Sequence, residues 1–193
     1  MNFLAHLWLT DRAQLPLAGA ILGDVLRGAL PAQMPEPLAR SVRLHRQVDA
    51  HTDRHPRVVA ARETFAPGAR RYAGILLDLL FDHLLAQDWP QYGAQSLSEF
   101  ADRAAREVNR GQPWFELAGH AVPEPVPFSA LLQSYAAERG IERAIRRTAR
   151  RLRLPQGMLD AAAGWRTRLP RLREDLPIVL ADLRACRVEP TKV

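Results

Sequence analysis

The sequence predicts an all-α fold, a single-domain helical bundle spanning residues 1–193. Three observations carry that expectation. Leucine, alanine and arginine dominate while long β-branched runs are scarce. Apolar positions recur at spacings of three and four, the period of a half-buried helix. Prolines fall mostly between such segments, at Pro16, Pro31, Pro35, Pro56, Pro67, Pro90 and Pro155, where a missing N–H breaks no helical hydrogen bond. At 193 residues with 47% apolar side chains, the chain can bury a substantial core.

Taken in order, helices are expected over Asn2 to Thr10, Pro16 to Gly28, Pro35 to Asp53, Arg57 to Phe65, Pro67 to Gln87, Ser96 to Arg110, Phe128 to Arg139, Ile141 to Leu152 and Gln156 to Arg187. The last contains Pro170 and Pro177, each of which removes a hydrogen bond and crowds the preceding turn, so it should be kinked or divided. Gly111 to Pro127 carries four prolines and no sustained helical period, which reads as a long loop or lid.

Charge narrows the partners. A formal net charge of +6 and a pI near 10.6 favour acidic partners. Thirteen arginines face five acidic residues between Arg139 and Arg187, so the excess sits in an arginine-rich portion beginning near residue 139. The single cysteine, Cys186, cannot form an intramolecular disulfide, which makes the cytoplasm the expected location. The apolar run Phe3 to Leu9 is broken by His6 and meets Asp11, short of the ~20 apolar residues that span a bilayer. Neither a signal peptide nor a membrane span is expected.

Function is expected where polar groups interrupt apolar helices. Ile75, Leu76, Leu77, Leu79, Leu80, Phe81, Leu84 and Leu85 make one helix apolar nearly all round, yet it contains Asp78, Asp82 and His83. A buried carboxylate is costly unless it is paired, protonated or bound to a cation. Asp78 and Asp82 point within about 40° of one another, whereas His83 diverges from Asp82 by about 100°. The alternative is that Asp82 and His83 cap or pair with neighbours such as Arg71. A second line, His45, Asp49 and Asp53, recurs every four residues along one face; its alternative is an exposed helix laced by Arg–Asp pairs. His51 and His55 read as surface residues. A third group, Asp24 and Arg27, sits on an apolar helix whose Gly19 and Gly23 would let another helix approach closely. Three apolar helices that each offer Asp or His inward could build a metal site between them. Imidazole and carboxylate suit manganese, iron, zinc or magnesium, and the lack of a second cysteine removes thiolate-rich structural zinc.

The segments MNFLAHLWL, GAILGDVLRG, LHRQVDAHTDRHP and LDLLFDHLL, in that order and spacing, resemble the acyl carrier protein phosphodiesterase family over roughly Met1 to Trp89. The resemblance implies an HD-domain-like helical fold, distantly related to HD-domain phosphohydrolases. It also implies a divalent cofactor, manganese first, with magnesium or iron as alternatives. Carried over motif by motif, Asp24, His45, Asp78, Asp82 and His83 are the implied metal ligands. Asp24, Asp49 and Asp53 form the implied catalytic set, with Asp49 or Asp53 orienting water, a ligand or an arginine. Arg27 and Arg46 are the implied phosphate binders.

His6 belongs to the first motif but is read as an orienting or core histidine, outside the ligand set. Gln47, Trp8 and His51 depart from the family pattern without removing a ligand. The implied reaction hydrolyses the phosphodiester between 4′-phosphopantetheine and a serine of holo-acyl carrier protein. Arginines such as Arg146, Arg147 and Arg150 are expected to steer that acidic protein substrate. Two other readings compete: an HD-like phosphohydrolase of a nucleotide such as guanosine tetraphosphate, for which no glycine-rich phosphate loop is evident, and a basic helical nucleic-acid binder, which leaves the ordered acidic motifs unexplained.

Overall fold

The computed structural model describes residues 1–185; Cys186 and the end of the helix expected to reach Arg187 lie outside the described residues. The described residues form helices and turns, with no strand among them. In chain order the helices are α1 Phe3–Arg12, α2 Ala18–Val25, α3 Glu36–Arg54, α4 Pro56–Glu63, α5 Arg70–Gln87, α6 Leu97–Asn109, α7 Gln112–Leu117, α8 Pro125–Ser134, α9 Glu138–Ala149, α10 Pro155–Ala162 and α11 Leu169–Arg184. Short 3₁₀ turns cover Trp89–Gln91 and Trp165–Arg168. No helix among the described residues is long and apolar enough to cross a membrane.

The all-apolar helix lies where its composition requires. Every residue of α5 from Leu79 to Ala86 is buried, and α1, α4, α9, α10 and α11 pack around it. One continuous hydrophobic core runs from Met1 to Leu183. The amphipathic helices α6 and α9 turn apolar stripes inward, Phe100, Ala101, Ala104, Ala105 and Val108 on one, Ile141, Ala144 and Ile145 on the other. The α6 helix starts at a capping box in which Ser96 and Glu99 satisfy each other's backbone N–H groups.

The glycine spacing in α2 does what small residues do at a helix crossing. A Cβ on Gly19 would lie 2.3 Å from the Ser41 side chain, and one on Gly23 would lie 2.2 Å from the His45 ring. Bare glycines thus let α3 lie against α2, placing Asp24 beside His45.

Two expectations are corrected. The region 111–127 is no long loop: it contains α7 and the start of α8, leaving Ala118 to Glu124 as the connection. Pro113 and Pro125 fall in the first turns of those helices, where N–H groups have no intrahelical partner to lose. The C-terminal segment is divided, but not at its prolines. The break comes at Gly164, whose φ of +71° is a left-handed conformation that glycine adopts without strain. Pro170 sits in the first turn of α11, and Pro177 lies inside that helix without ending it.

Candidate metal centre

Four elements converge at one end of the bundle. The α1 helix contributes His6, α2 contributes Asp24 at its last turn, α3 contributes His45 and Asp49 one turn apart, and α5 contributes Asp78. His6 Nε2 lies 3.0 Å from Asp49 Oδ1, and His45 Nε2 lies 3.2 Å from Asp49 Oδ2 and 3.5 Å from Asp24 Oδ1. The two imidazoles stack with centroids 3.9 Å apart. Both are buried, while Asp24 and Asp49 are 51% and 46% exposed, so the cluster has a protein-lined floor and an open carboxylate mouth.

His45 is oriented from behind, whereas His6 Nε2 also lies 3.1 Å from the Met1 carbonyl oxygen. His45 Nδ1 donates to the Ala20 carbonyl at 2.7 Å, which fixes the ring and turns Nε2 toward the carboxylates, as in many metal-binding histidines. The Met1 ammonium donates to Asp78 Oδ1 at 2.9 Å and lies 3.9 Å from Asp49 Oδ1. Three carboxylates thus surround two cationic groups, His45 and the ammonium.

Electrostatics follow from that imbalance. Burial pulls the His45 imidazolium down, but hydrogen bonds and charge from Asp24 and Asp49 outweigh it and hold its pKa up at about 9. Burial pushes His6 down to about 4 despite Asp49, so it is neutral at pH 7. Burial raises the Asp49 carboxyl, but its bonds to His45 and His6 win and keep it well below the usual carboxylate range. Burial also works against the Met1 ammonium, but its contact with Asp78 raises it overall.

The donor set fits a divalent cation. His6, His45 and Asp49 each offer one ligand atom, all within 4.8 Å of one another. Ligands about 2.1 Å from one ion are at most about 4.2 Å apart, so the side chains would draw inward to close the set. Nitrogen and oxygen donors with half-open carboxylates suit a catalytic cation rather than a closed structural one.

Not every residue singled out from the sequence is brought here. Asp82 is fully buried, and its two oxygens accept the backbone N–H groups of Leu4 at 2.7 Å and Ala5 at 3.0 Å. It caps the start of α1, whose own N-cap residue, Asn2, makes no side-chain cap bond. Burial pushes its pKa up to about 7 against the pull of those two donors. His83 faces away from the cluster, as the 100° step along α5 requires. Its Nδ1 donates to the Tyr135 carbonyl at 2.5 Å, its ring meets Trp165 edge-on, and burial lowers its pKa. Asp53 pairs with Arg62 at 2.5 Å, two helical turns from His45. Arg46 is held by the Leu26 and Gly28 carbonyls, so it fastens the segment after α2. Arg27 is exposed on that same segment.

His6 is the residue that sequence reasoning set aside. The signal was the one that singled out Asp78 and Asp82, a polar group breaking an apolar helix. A lone histidine is more often a satisfied core residue, and only the fold shows that α1 lays His6 on His45.

The fold and cluster define a class, helical proteins that gather histidine and aspartate from several helices into a site suited to a divalent cation. The comparisons narrow the class. The family profile described as acyl carrier protein phosphodiesterase matches residues 1–183. An acyl carrier protein phosphodiesterase of Klebsiella pneumoniae is 35% identical over 175 residues, covering 90% of this chain and 83% of the relative. One of an Enterobacter species is 34% identical over 176 residues, with the same coverage. One of Escherichia coli is 39% identical over 109 residues, 56% of each chain. The chain belongs to the acyl carrier protein phosphodiesterase family. No solved structure matches it.

Proposed function

We propose that this protein hydrolyses the phosphodiester joining 4′-phosphopantetheine to a serine of holo-acyl carrier protein, releasing apo-acyl carrier protein and free 4′-phosphopantetheine. Family membership supports the substrate. The observation that carries the chemistry is the His6, His45 and Asp49 cluster with Asp24 beside it. In this reading His45, Asp49 and Asp24 hold a divalent cation, with manganese the first candidate and His6 completing the set, and the protein works in the cytoplasm.

The cation, when bound, supplies Lewis acidity and lowers the pKa of water. The chain's own residues do the rest. His45, held by the Ala20 carbonyl, presents Nε2 in a fixed direction. Asp24, half open to solvent, can accept a proton from the attacking water and return it to the serine oxygen that in-line attack at phosphorus expels. Arg27, exposed three residues after Asp24, would contact the phosphodiester, where a guanidinium stabilises developing charge. Arg46 acts indirectly by fastening the chain that carries Arg27. Asp78 restrains the Met1 ammonium, and Asp82 holds α1, and with it His6, in place.

The test is mass spectrometry of holo-acyl carrier protein incubated with the purified protein and Mn²⁺. The expected result is conversion to the apo mass with free 4′-phosphopantetheine, abolished by a chelator and restored by Mn²⁺. A holo mass that does not change, or conversion indifferent to the chelator, contradicts the proposal.

A further inference from the structure

A groove of ≈610 Å³ lies between α8 and α9, lined by none of the residues of the metal centre. One wall is the α8 face from Pro127 to Ser134, and the other is the α9 face from Gly140 to Arg150. Both sets of lining positions recur at spacings of three and four, so the groove runs along two helices. Its α9 wall runs from Gly140 to Arg150, roughly 15 Å at 1.5 Å per residue. The helices are pinned together at one end. A Cβ on Gly140 would lie 1.7 Å from the Ser134 carbonyl oxygen, so only glycine permits that approach.

Chemistry divides this groove into a floor and a rim. Ala130 and Leu131 form an apolar floor. The rim carries Arg143, Arg146, Arg147 and Arg150, all exposed. The acids of α9 are turned elsewhere: Glu138 and Glu142 both accept from Arg166, at 2.6 and 2.7 Å. Only Arg146 has a carboxylate nearby, Glu142 at 3.6 Å. Among the described residues Arg143, Arg147 and Arg150 have none within ion-pair distance. The groove therefore presents four cations and an apolar strip to solvent with almost no internal neutralisation.

The groove is also linked to the metal centre. Tyr135, at the turn between the two helices, has its hydroxyl beside Arg147 and accepts a hydrogen bond from Asn2 Nδ2 at 2.8 Å. Asn2 adjoins Met1, whose ammonium contacts Asp78 and Asp49. Phe3 packs edge-on against Phe128 of α8. An occupant of the groove would border the N-terminal segment that forms one side of the site.

We propose that the α8–α9 groove is the docking site for an acidic amphipathic helix of the protein substrate. This inference rests on the function proposed above, under which the substrate is a folded protein. A helix laid between two helices fills such a groove through its apolar face, and carboxylates flanking that face meet the four arginines. A single-stranded nucleic acid suits the lining poorly, because no aromatic ring lines the groove to stack a base.

The experiment measures binding of apo-acyl carrier protein, which lacks the arm, by surface plasmon resonance. This reading does not depend on turnover. In Arg146→Glu/Arg150→Glu, Kd should weaken about tenfold or more, mainly through k_on, and the salt dependence should flatten. Ala130→Glu, which places a charge on the apolar floor, should weaken binding without touching the arginines. Arg40→Glu/Arg106→Glu, the same charge change at exposed positions that do not line the groove, should shift Kd less than twofold. Thermal melts identify any variant that fails to fold.

Equal Kd in the wild-type and groove variants overturns the proposal, as does a wild-type protein that does not bind the carrier. Tighter arginine-dependent binding to a DNA duplex or to phosphatidylglycerol vesicles also overturns it, because the groove would then serve another polyanion. An unchanged holo mass in the turnover assay, with groove-dependent binding of the apo carrier intact, would instead refute the hydrolytic function alone.

Discussion

The residues of α5 divide into those that meet the cluster and those that hold the fold. Asp78 reaches it through the Met1 ammonium, Asp82 caps α1, and His83 packs behind Tyr135 and Trp165. Replacing His45 or Asp49 by Ala should lower turnover of holo-acyl carrier protein by about a hundredfold or more. His83→Ala should instead lower Tm, through a loss of about 3 kcal/mol from the buried cavity, with Mn²⁺ affinity near wild type. Calorimetric metal titration together with a thermal melt distinguishes the two outcomes, and lost affinity in His83→Ala would return it to the ligand set.

The folded pKa of His45, about 9, lies above its ordinary 6.5. In the metal-free protein its stabilising contribution is complete below pH 6.5 and fades as pH rises through 9. A cation at Nε2 must displace that proton. Calorimetry at pH 7 in buffers of different ionisation enthalpy should therefore record about one proton released per cation from His45, falling toward zero at pH 10. Absence of release at pH 7 would place the cation elsewhere.

The helices set the cluster's precision, and the sequence revealed them unevenly. The small-residue spacing of Gly19 and Gly23 announced a close crossing, and α3 makes it. Gly23→Ala should drive the His45 ring from its place, weakening Mn²⁺ binding about tenfold or more even where circular dichroism shows intact helices. Unchanged affinity would mean the ring can move without consequence.

Asp82 was legible as a buried carboxylate needing a partner, but sequence could not choose between a cation and a helix end. Its partners, the N–H groups of Leu4 and Ala5, lie 78 and 77 residues away. Asp82→Ala leaves both donors unsatisfied and should cost about 3 kcal/mol in urea unfolding. A loss under about 0.5 kcal/mol, in the range of an ordinary surface substitution, would contradict the capping role.

For the molecule as a whole, the helical class could be read because α5 is apolar all round and α6 and α9 are amphipathic, patterns local enough to survive without tertiary knowledge. The loop expected over 111–127 failed because prolines serve the first turn of a helix as readily as they end one, as Pro113 and Pro125 do. The motif residues Asp24, His45 and Asp49 are adjacent in space as their ordering suggested. His6 and the Met1 ammonium joined them only through the packing of α1 on α3 and α5, which no spacing along the chain encodes.

The central claim is that this His–Asp cluster holds the cation that turnover requires, and Mn²⁺ electron paramagnetic resonance tests it most directly. Titrating Mn²⁺ into the wild-type protein and into Asp49→Ala reads free cation from signal intensity, and the same samples can be assayed on holo-acyl carrier protein. The prediction is saturable binding and turnover that rise together in the wild type and are both lost in Asp49→Ala. Wild-type binding and turnover in Asp49→Ala would contradict it.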